Sequence, residues 1–316
     1  MGAWAESLEL RVPVLNAPMG GVAGGRLAAA VTAAGGLGMI GMGSTATRDG
    51  LVRALGDLDG CQRFGVGLVD WVVRQEAGLL DAALDALPVL LSVSFGAELD
   101  WVERAQERGI LTAVQVPDVD GARRAEDAGV DVIVARGLEG GGHGAPEAPL
   151  AELLAPVVAA VERPVLAAGG IATAADVRAA LAAGADGVWV GTTFAAAAEA
   201  LTPAGAKQAM LGAGCDDTVT TRAYDRAFGW PWPERYPARV LRNTFTAAWV
   251  DADGADVVGG ALDPAFTLDA AGLARLHRAV ADDDPSIAPV DAGTGVGSIV
   301  DVVPAATIIA RLTAGL

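Results

Sequence analysis

Arg136-Gly137-Leu138-Glu139-Gly140-Gly141-Gly142-His143-Gly144, then Ala167-Ala168-Gly169-Gly170-Ile171, then Val188-Trp189-Val190-Gly191-Thr192 are three glycine turns in one stretch of chain, each following or closing an apolar run of strand length. A parallel α/β protein gathers its loops and its chemistry at the carboxyl ends of its strands. The three turns are therefore expected on one face of one sheet. Working outward, the same alternation recurs eight times: apolar runs at Val12–Asn16, Gly38–Ile40, Phe64–Leu68, Val89–Ser94, Leu111–Val116, Val130–Ala135, Val165–Ala168 and Gly187–Val190 alternate with alanine-rich segments of helical length. Those segments are Gly25–Ala34, Arg48–Leu58, Glu76–Ala86, Leu99–Arg108, Asp120–Ala128, Leu150–Val161, Ala174–Ala183 and Thr193–Leu201. The runs are nearly continuous in apolar residues, which marks strands covered on both sides by helices. Eight consecutive βα units with no antiparallel interruption favour a closed (β/α)8 TIM barrel over a doubly wound open sheet.

Two junctions repeat almost verbatim, Asp127-Ala128-Gly129-Val130-Asp131 and Ala182-Ala183-Gly184-Ala185-Asp186, and put glycine just past a helix end, where a left-handed conformation costs it little. After Leu201 the pattern changes. Residues 216–290 are richer in tryptophan, proline, arginine and aspartate, and the run Phe228-Gly229-Trp230-Pro231-Trp232-Pro233-Glu234-Arg235-Tyr236-Pro237 is too dense in proline for a regular helix or interior strand. The expected organisation is a barrel over 1–215, a smaller cap over 216–290 packed on one end of it, and a C-terminal segment, 291–316, in which the glycine turn Gly293–Ser298 enters a helix from Ile299 to Leu312.

Composition excludes several classes. Just over half of the 316 residues are hydrophobic, enough for a large core. The net charge is −17 with one lysine, Lys207, so there is no basic stripe for a nucleic acid backbone. Two distant cysteines, Cys61 and Cys215, and two histidines, His143 and His277, support neither a disulfide framework nor a histidine-based metal site. No run reaches the roughly 18 to 20 apolar residues of a membrane span, and Met1–Arg11 lacks a signal-peptide pattern, so a cytoplasmic protein is expected. Composition leaves self-association into a homo-oligomer open.

Among local motifs, Gly36-Leu37-Gly38-Met39-Ile40-Gly41 matches the dinucleotide fingerprint in letters only, because its middle is itself the second strand. The turns at Gly169-Gly170 and Gly191-Thr192 close the seventh and eighth strands, where barrels build a phosphate site from backbone N–H groups. Glycine removes the Cβ that would hold a phosphate oxygen off the backbone, and the Thr192 hydroxyl adds a donor. His143 stands on a glycine loop beyond the sixth strand with no apolar periodicity around it, in reach of a general-base role. His277 lies on an amphipathic segment and reads as a surface residue. Ala17-Pro18-Met19 ends the first strand as a rigid turn a flat ring could approach, and Gln115 is a polar end to the apolar fifth strand. No lysine falls among the barrel strands, so a Schiff-base mechanism has no nucleophile.

Taken together, Ala17-Pro18-Met19, Ala33-Ala34-Gly35-Gly36-Leu37-Gly38, the loop Gly137–His143, Ala167-Ala168-Gly169-Gly170-Ile171, Gly191-Thr192, Leu241-Arg242-Asn243 and the turn Gly293–Gly297 resemble the FMN-dependent nitronate monooxygenase family, over nearly the whole chain. The resemblance implies FMN across the strand ends and oxidation of alkyl nitronates or nitroalkanes with O2 to a carbonyl compound and nitrite. By position, it implies that Ala17, Pro18 and Met19 line the isoalloxazine and that Gln115, Arg136 and Gly141 contact the flavin. Gly169, Gly170, Trp189, Val190, Gly191 and Thr192 would form the phosphate end, and His143 would be the base that removes the substrate α-proton. The histidine loop also resembles that of flavin-dependent enoyl-acyl-carrier-protein reductases, so an NAD(P)H-dependent enoyl-thioester reductase is an alternative, and a flavin-binding protein without turnover is a third. Four positions depart from the family pattern: Gly67 stands where asparagine is usual, Arg136 where glutamine is common, Thr193 in place of arginine, and Thr294 in place of glutamine.

Overall fold

Eight strands, β1 (Val14–Asn16), β2 (Met39–Gly41), β3 (Gly65–Val69), β4 (Leu90–Ser94), β5 (Leu111–Val116), β6 (Val132–Arg136), β8 (Val165–Ala168) and β9 (Gly187–Val190), form one parallel sheet in a computed structural model that describes residues 3–249 and 269–316. The missing number, β7, is a two-residue strand, Gly142–His143, in a separate sheet. Each strand of the large sheet pairs with its sequence neighbour, and β9 returns to pair with β1. The last gap, between β1 and β2, is closed by a parallel bridge at Leu15 and Leu37. Asn16, fully buried, completes that seam with its side chain: its amide accepts from Met39 N at 2.9 Å and donates to Met39 O at 2.9 Å, as a strand neighbour's backbone would. The fold is a TIM barrel, as expected from the eight repeats.

The strands feed two cores, because successive side chains leave a strand on opposite faces, except that β3 presents Gly65 and Gly67 on its alternate positions and adds apolar side chains only to the helix-facing core. Leu15, Leu90, Val132, Val134, Leu166 and Trp189 point into the barrel, where Trp4, Leu8 and Leu10 of the N-terminal segment join them. Val14, Leu91, Ile133, Val165, Val188 and Val190 point outward against the helices. The repeated junctions gain a second function here. Gly129 (φ 82°) and Gly184 (φ 99°) end their helices in the left-handed region. The aspartate two residues on then accepts from the neighbouring strand, Asp131 from Thr112 N at 2.9 Å and Asp186 from Val165 N at 3.0 Å. Several helix starts are capped by a side-chain oxygen: Thr173 and Asp176 form a reciprocal capping box for Ala174–Ala182, and Thr47 and Asp118 cap Arg48–Gly56 and Val119–Asp127.

Several expected boundaries shift. The fourth helical segment is shorter, Trp101–Gln106, the third is confined to Leu79–Asp85 after Gly78 (φ 77°), and an additional short helix, Asp70–Gln75, precedes it directly after β3. After β9 the helix is a single turn, Thr192–Ala195, and the longer Ala204–Leu211 begins after Pro203. At the C-terminus, Thr294–Ser298 is a 3-10 turn and the helix runs only over Ala305–Leu312, because Pro304 fixes its start. The fingerprint-like glycines prove to be packing positions: a Cβ at Gly36 would meet Val14 O at 2.3 Å and one at Gly38 would meet Ala28 O at 1.8 Å.

Beyond the barrel, β10 (Thr218–Thr221) and β11 (Ala238–Leu241) form an antiparallel sheet completed by β7. The short helix Ala223–Phe228 and the proline-rich loop lie between β10 and β11. Asn243 braces this region, donating to Pro285 O and Ala288 O at 3.0 Å each and bonding the Tyr224 hydroxyl. Residues 250–268 of the expected cap lie outside the described residues.

Candidate active site

A cavity of about 360 Å³ lies between the carboxyl ends of the barrel strands and the small sheet, within the size range of ligand pockets. Ala17, Pro18 and Met19 line it from the loop after β1, and Gln115 from β5. The Gln115 side-chain amide faces the cavity and makes no hydrogen bond to a described residue, so it is available to a ligand. Gly169, Gly170, Gly191 and Thr192 line one end together with Gly295, and Trp189 lies beneath them. Val190 does not join them. The alternation of the strand turns it outward into the helix-facing core at 1% exposure, and only its carbonyl reaches the site's edge, accepting from Ala17 N at 2.8 Å.

The glycine end is a cradle built of backbone. Gly169 (φ 105°) and Gly170 (φ 70°) hold conformations that side chains resist, and a Cβ at Gly170 would come within 3.0 Å of Glu139 Cβ. At Gly191 a Cβ would meet only ordinary contacts, Ala17 Cβ and Met19 Sδ at 3.7 Å, and would protrude into the open cavity instead. The Thr192 hydroxyl accepts from Gly293 N at 2.9 Å, which ties the C-terminal glycine turn to this end and leaves the hydroxyl hydrogen for a ligand. A phosphate-bearing flat cofactor fits this arrangement: N–H groups without Cβ shielding at one end, a proline-stiffened wall and a free amide along its length. Gly67 takes no direct part, since its missing Cβ is the space occupied by the Pro18 ring, at 2.2 Å.

The opposite end carries charge. Arg136, 8% exposed, donates through one terminal nitrogen to the carbonyls of Gly140, Gly141 and Gly142 at 3.0, 3.1 and 3.2 Å, and so fastens the histidine loop from beneath. Burial, and then the nearby Arg239, push its pKa down to about 10, which still leaves it charged at neutral pH. The loop is held from above by register: His143 pairs with Ala238 and Gly142 with Arg239 of β11. The His143 Nε2 lies 2.9 Å from Asp225 Oδ1, and its ring is stacked on Trp232 with centroids 3.6 Å apart and planes 5° from parallel. Trp232 is anchored in turn by an indole N–H bond to Ser44 Oγ at 3.0 Å and by edge contacts to Trp71 and Phe95. Asp291 also faces the cavity, beside Gly142. Solvent can enter and touch it, but protein encloses the cavity, and this removal from bulk water raises its carboxyl above the usual range. The neighbouring Asp225 pushes the same way, while His143 and Arg136 oppose it.

Three of these participants escape sequence reasoning. Asp225 sits in Thr221-Arg222-Ala223-Tyr224-Asp225 with no spacing that marks it, and meets His143 across 82 positions. Asp291 lies just before the glycine turn Gly293–Ser298, with no local pattern that singles it out. Trp232 was visible as part of an aromatic–proline run and does pack as a tryptophan is expected to, but its packing partner is the histidine. His277 is exposed on the helix Ala270–Ala281, as read from its amphipathic segment.

A closed barrel whose cavity has glycine turns from the seventh and eighth strand ends on one side and a half-buried histidine on the other has the architecture of the TIM-barrel flavin oxidoreductases. The comparisons agree: a sequence profile of the nitronate monooxygenase family matches residues 3–62 and 71–315, and the chain belongs to that family. It is 31% identical to a nitronate monooxygenase of Paraburkholderia phytofirmans over 77% of each chain. Across four curated relatives the match spans 56–77% of their length. Among solved structures, FabK from Thermotoga maritima superposes with a TM-score of 0.81 at 28% identity, covering 99% of this chain and 95% of that one. A nitroalkane oxidase from Streptomyces ansochromogenes gives 0.78 at 29% identity, covering 98% and 97%.

Proposed function

We infer that this protein oxidises alkyl nitronates, and nitroalkanes after their deprotonation, with O2 to a carbonyl compound and nitrite. The observation that carries the reading is a half-buried histidine held against a buried acid on one side of a cavity whose other side is lined by backbone glycine turns suited to a phosphate. Bound flavin supplies the electron acceptor for the nitronate carbon and the route to O2, and the phosphate cradle favours FMN. Gly169, Gly170, Gly191 and Thr192 would hold the phosphate, and Ala17, Pro18, Met19, Trp189, Gln115 and Gly141 would flank the ring. Arg136 has another duty in this reading: its guanidinium is committed to the carbonyls of the histidine loop. His143 takes the α-proton of a neutral nitroalkane. In this reading residues 1–215 carry the flavin, the described residues of the 216–290 segment cover the substrate end of the cavity, and 291–316 return to the barrel wall.

The test begins with purified protein, which should carry a yellow flavin extractable as FMN and should release nitrite from preformed nitronates. Replacement of His143 by asparagine should keep the flavin bound and lower nitroalkane turnover by about 10²–10⁴-fold, the usual span of general-base catalysis, with much less effect on nitronate. Equal losses on the two substrates would remove the base assignment.

The likeness to FabK and to the enoyl-reductase histidine loop favours one second reading, reduction of an enoyl thioester by NAD(P)H. Anaerobic mixing with NADPH separates the two: fast bleaching of the flavin selects the reductase, and bleaching by nitronate alone selects the monooxygenase.

A further inference from the structure

His143 and Asp225 come from different layers of the molecule, and the small sheet brings them together. His143 lies in β7, whose partner β11 follows β10 and the Asp225 helix, and Gly144 N donates to Pro237 O at 3.1 Å to extend that pairing. The helix is pinned on both sides of Asp225: Tyr224 donates its hydroxyl to Ile287 O at 2.8 Å, and Trp230 N donates to Asp225 O at 2.9 Å. The imidazole is thus fixed in plane by Trp232 and in rotation by the 2.9 Å contact to Asp225. Nδ1 has no hydrogen-bond partner among the described residues.

The carboxylate is an expensive way to hold a ring. Asp225 is 2% exposed and its second oxygen, Oδ2, is buried without a partner. Burying a carboxylate so sparsely paired opposes folding, so stability alone does not account for an aspartate where an asparagine would fit. A carboxylate beside a histidine does two things a neutral group does not: it holds the proton on the nitrogen facing it, and it balances the charge of the imidazolium formed when the ring takes a second proton.

We propose that Asp225 is the positioning residue of a His143–Asp225 dyad, fixing His143 with its proton on Nε2 so that Nδ1 is the atom that removes the α-proton of a nitroalkane. The inference rests on the base reading of His143 given above. In the step, the substrate Cα–H bond breaks, the proton goes to Nδ1, and the electron pair becomes the C=N bond of the nitronate, with charge moving onto the nitro oxygens. Asp225 gains no proton and faces the resulting imidazolium. A preformed nitronate has already lost that proton and does not need the dyad.

Two measurements test it. Because the chain has only two histidines, ¹⁵N resonances of the His143 ring can be assigned by difference from His277. In the wild-type protein with its flavin bound they should show a protonated Nε2 and a bare Nδ1, and in Asp225→Asn that preference should weaken or invert. A wild-type ring protonated on Nδ1 overturns the proposal without any variant. In kinetics, Asp225→Asn should lower kcat/KM for nitroethane roughly 100-fold, within the range of general-base effects, while preformed ethylnitronate changes by less than about threefold. Asp225→Glu should recover part of the loss. Thermal stability of Asp225→Asn should be unchanged or higher, since the buried charge is gone. Equal losses on both substrates, or no loss on nitroethane, overturn the proposal. If the wild-type protein oxidises neither compound, the function reading has failed, and the ring tautomer still decides whether the dyad exists.

Discussion

The two ends of the cavity are built by different physics. At the glycine end, the groups that matter are backbone N–H donors, set by positive φ angles at Gly169 and Gly170 and by the first turn of the short helix after Gly191. At the histidine end, the groups are side chains from distant parts of the chain: Arg136 at the end of β6, Asp225 after β10, Asp291 before the last glycine turn. The first end depends on local conformation and carries no ionisable side chain. The second gathers the ionisable side chains that line the cavity, Arg136, His143, Tyr224, Asp225 and Asp291, beside the two β7–β11 residue pairs. Anchoring a ligand requires only that the backbone stay in place, whereas moving a proton requires opposed charges held out of bulk water.

The largest effect expected from breaking this contrast lies at Arg136. Removing its guanidinium leaves the carbonyls of Gly140, Gly141 and Gly142 without their donor beneath the loop. Buried acceptors left unsatisfied cost about 1–3 kcal/mol each, and cavity water offsets part of this, so Arg136→Ala should lower unfolding stability by about 2–4 kcal/mol in urea titrations. It should also damage turnover of nitroalkane and nitronate alike, since the whole histidine loop moves. Gln at 136, the residue more usual in the family, should recover part of the stability. Full stability in Arg136→Ala would mean that β7 pairing alone holds the loop.

These differences also explain what the sequence discloses. The barrel is legible because its signals are local and repeated: apolar runs, helix-length alanine segments, and the Gly129 and Gly184 junctions. The position of the glycine end is legible for the same reason, except that the two-residue alternation of the strand sends the Val190 side chain away from the cavity. His143 stood out by lacking a structural pattern around it. Asp225 did not, because nothing within its own helix distinguishes it; its role exists only through the pairing of β7 with β11. Arg136 is expected at the flavin only through the family resemblance; its bonds to three loop carbonyls depend on the folded loop and leave no mark in the sequence. Reading the apolar run Ile299–Leu312 through Pro304, the residue that resets the start, misplaces the last helix start, and the helix after Pro203 goes unread altogether.

A smaller effect should follow at the glycine end. Gly170→Ala forces a Cβ into a left-handed position and to 3.0 Å from Glu139 Cβ, which costs about 1–2 kcal/mol and displaces a backbone donor of the cradle. Flavin affinity should fall by about tenfold for each 1.4 kcal/mol that the displacement takes from binding, read by titrating apoprotein with FMN. Gly60→Ala is the control, because Gly60 has φ 80° with nothing near its Cβ and lies far from the cavity. It should share the strain and leave flavin affinity unchanged. Equal weakening in both variants would show that the cradle geometry at Gly170 is incidental.

The subtlest test concerns Asp291, whose carboxyl is pushed up, first by burial and then by the neighbouring Asp225. The sign follows from the direction of that shift. A carboxyl that titrates higher in the folded protein than in the unfolded chain favours folding while both states are protonated, below the ordinary carboxylate range near 3.8. That contribution disappears as pH rises through the elevated folded value. Asp291→Asn cannot titrate, so its stability relative to wild type should grow from acid pH upward and level off once Asp291 is ionised in the folded state. Because cavity water reaches the carboxyl, the difference should be modest and should shrink when a ligand or the flavin displaces that water or pairs with the acid. Parallel stability curves for the two proteins between pH 4 and pH 8 would mean that Asp291 is hydrated as it is on an open surface, and that the charged end of the cavity is wetter than its enclosure suggests.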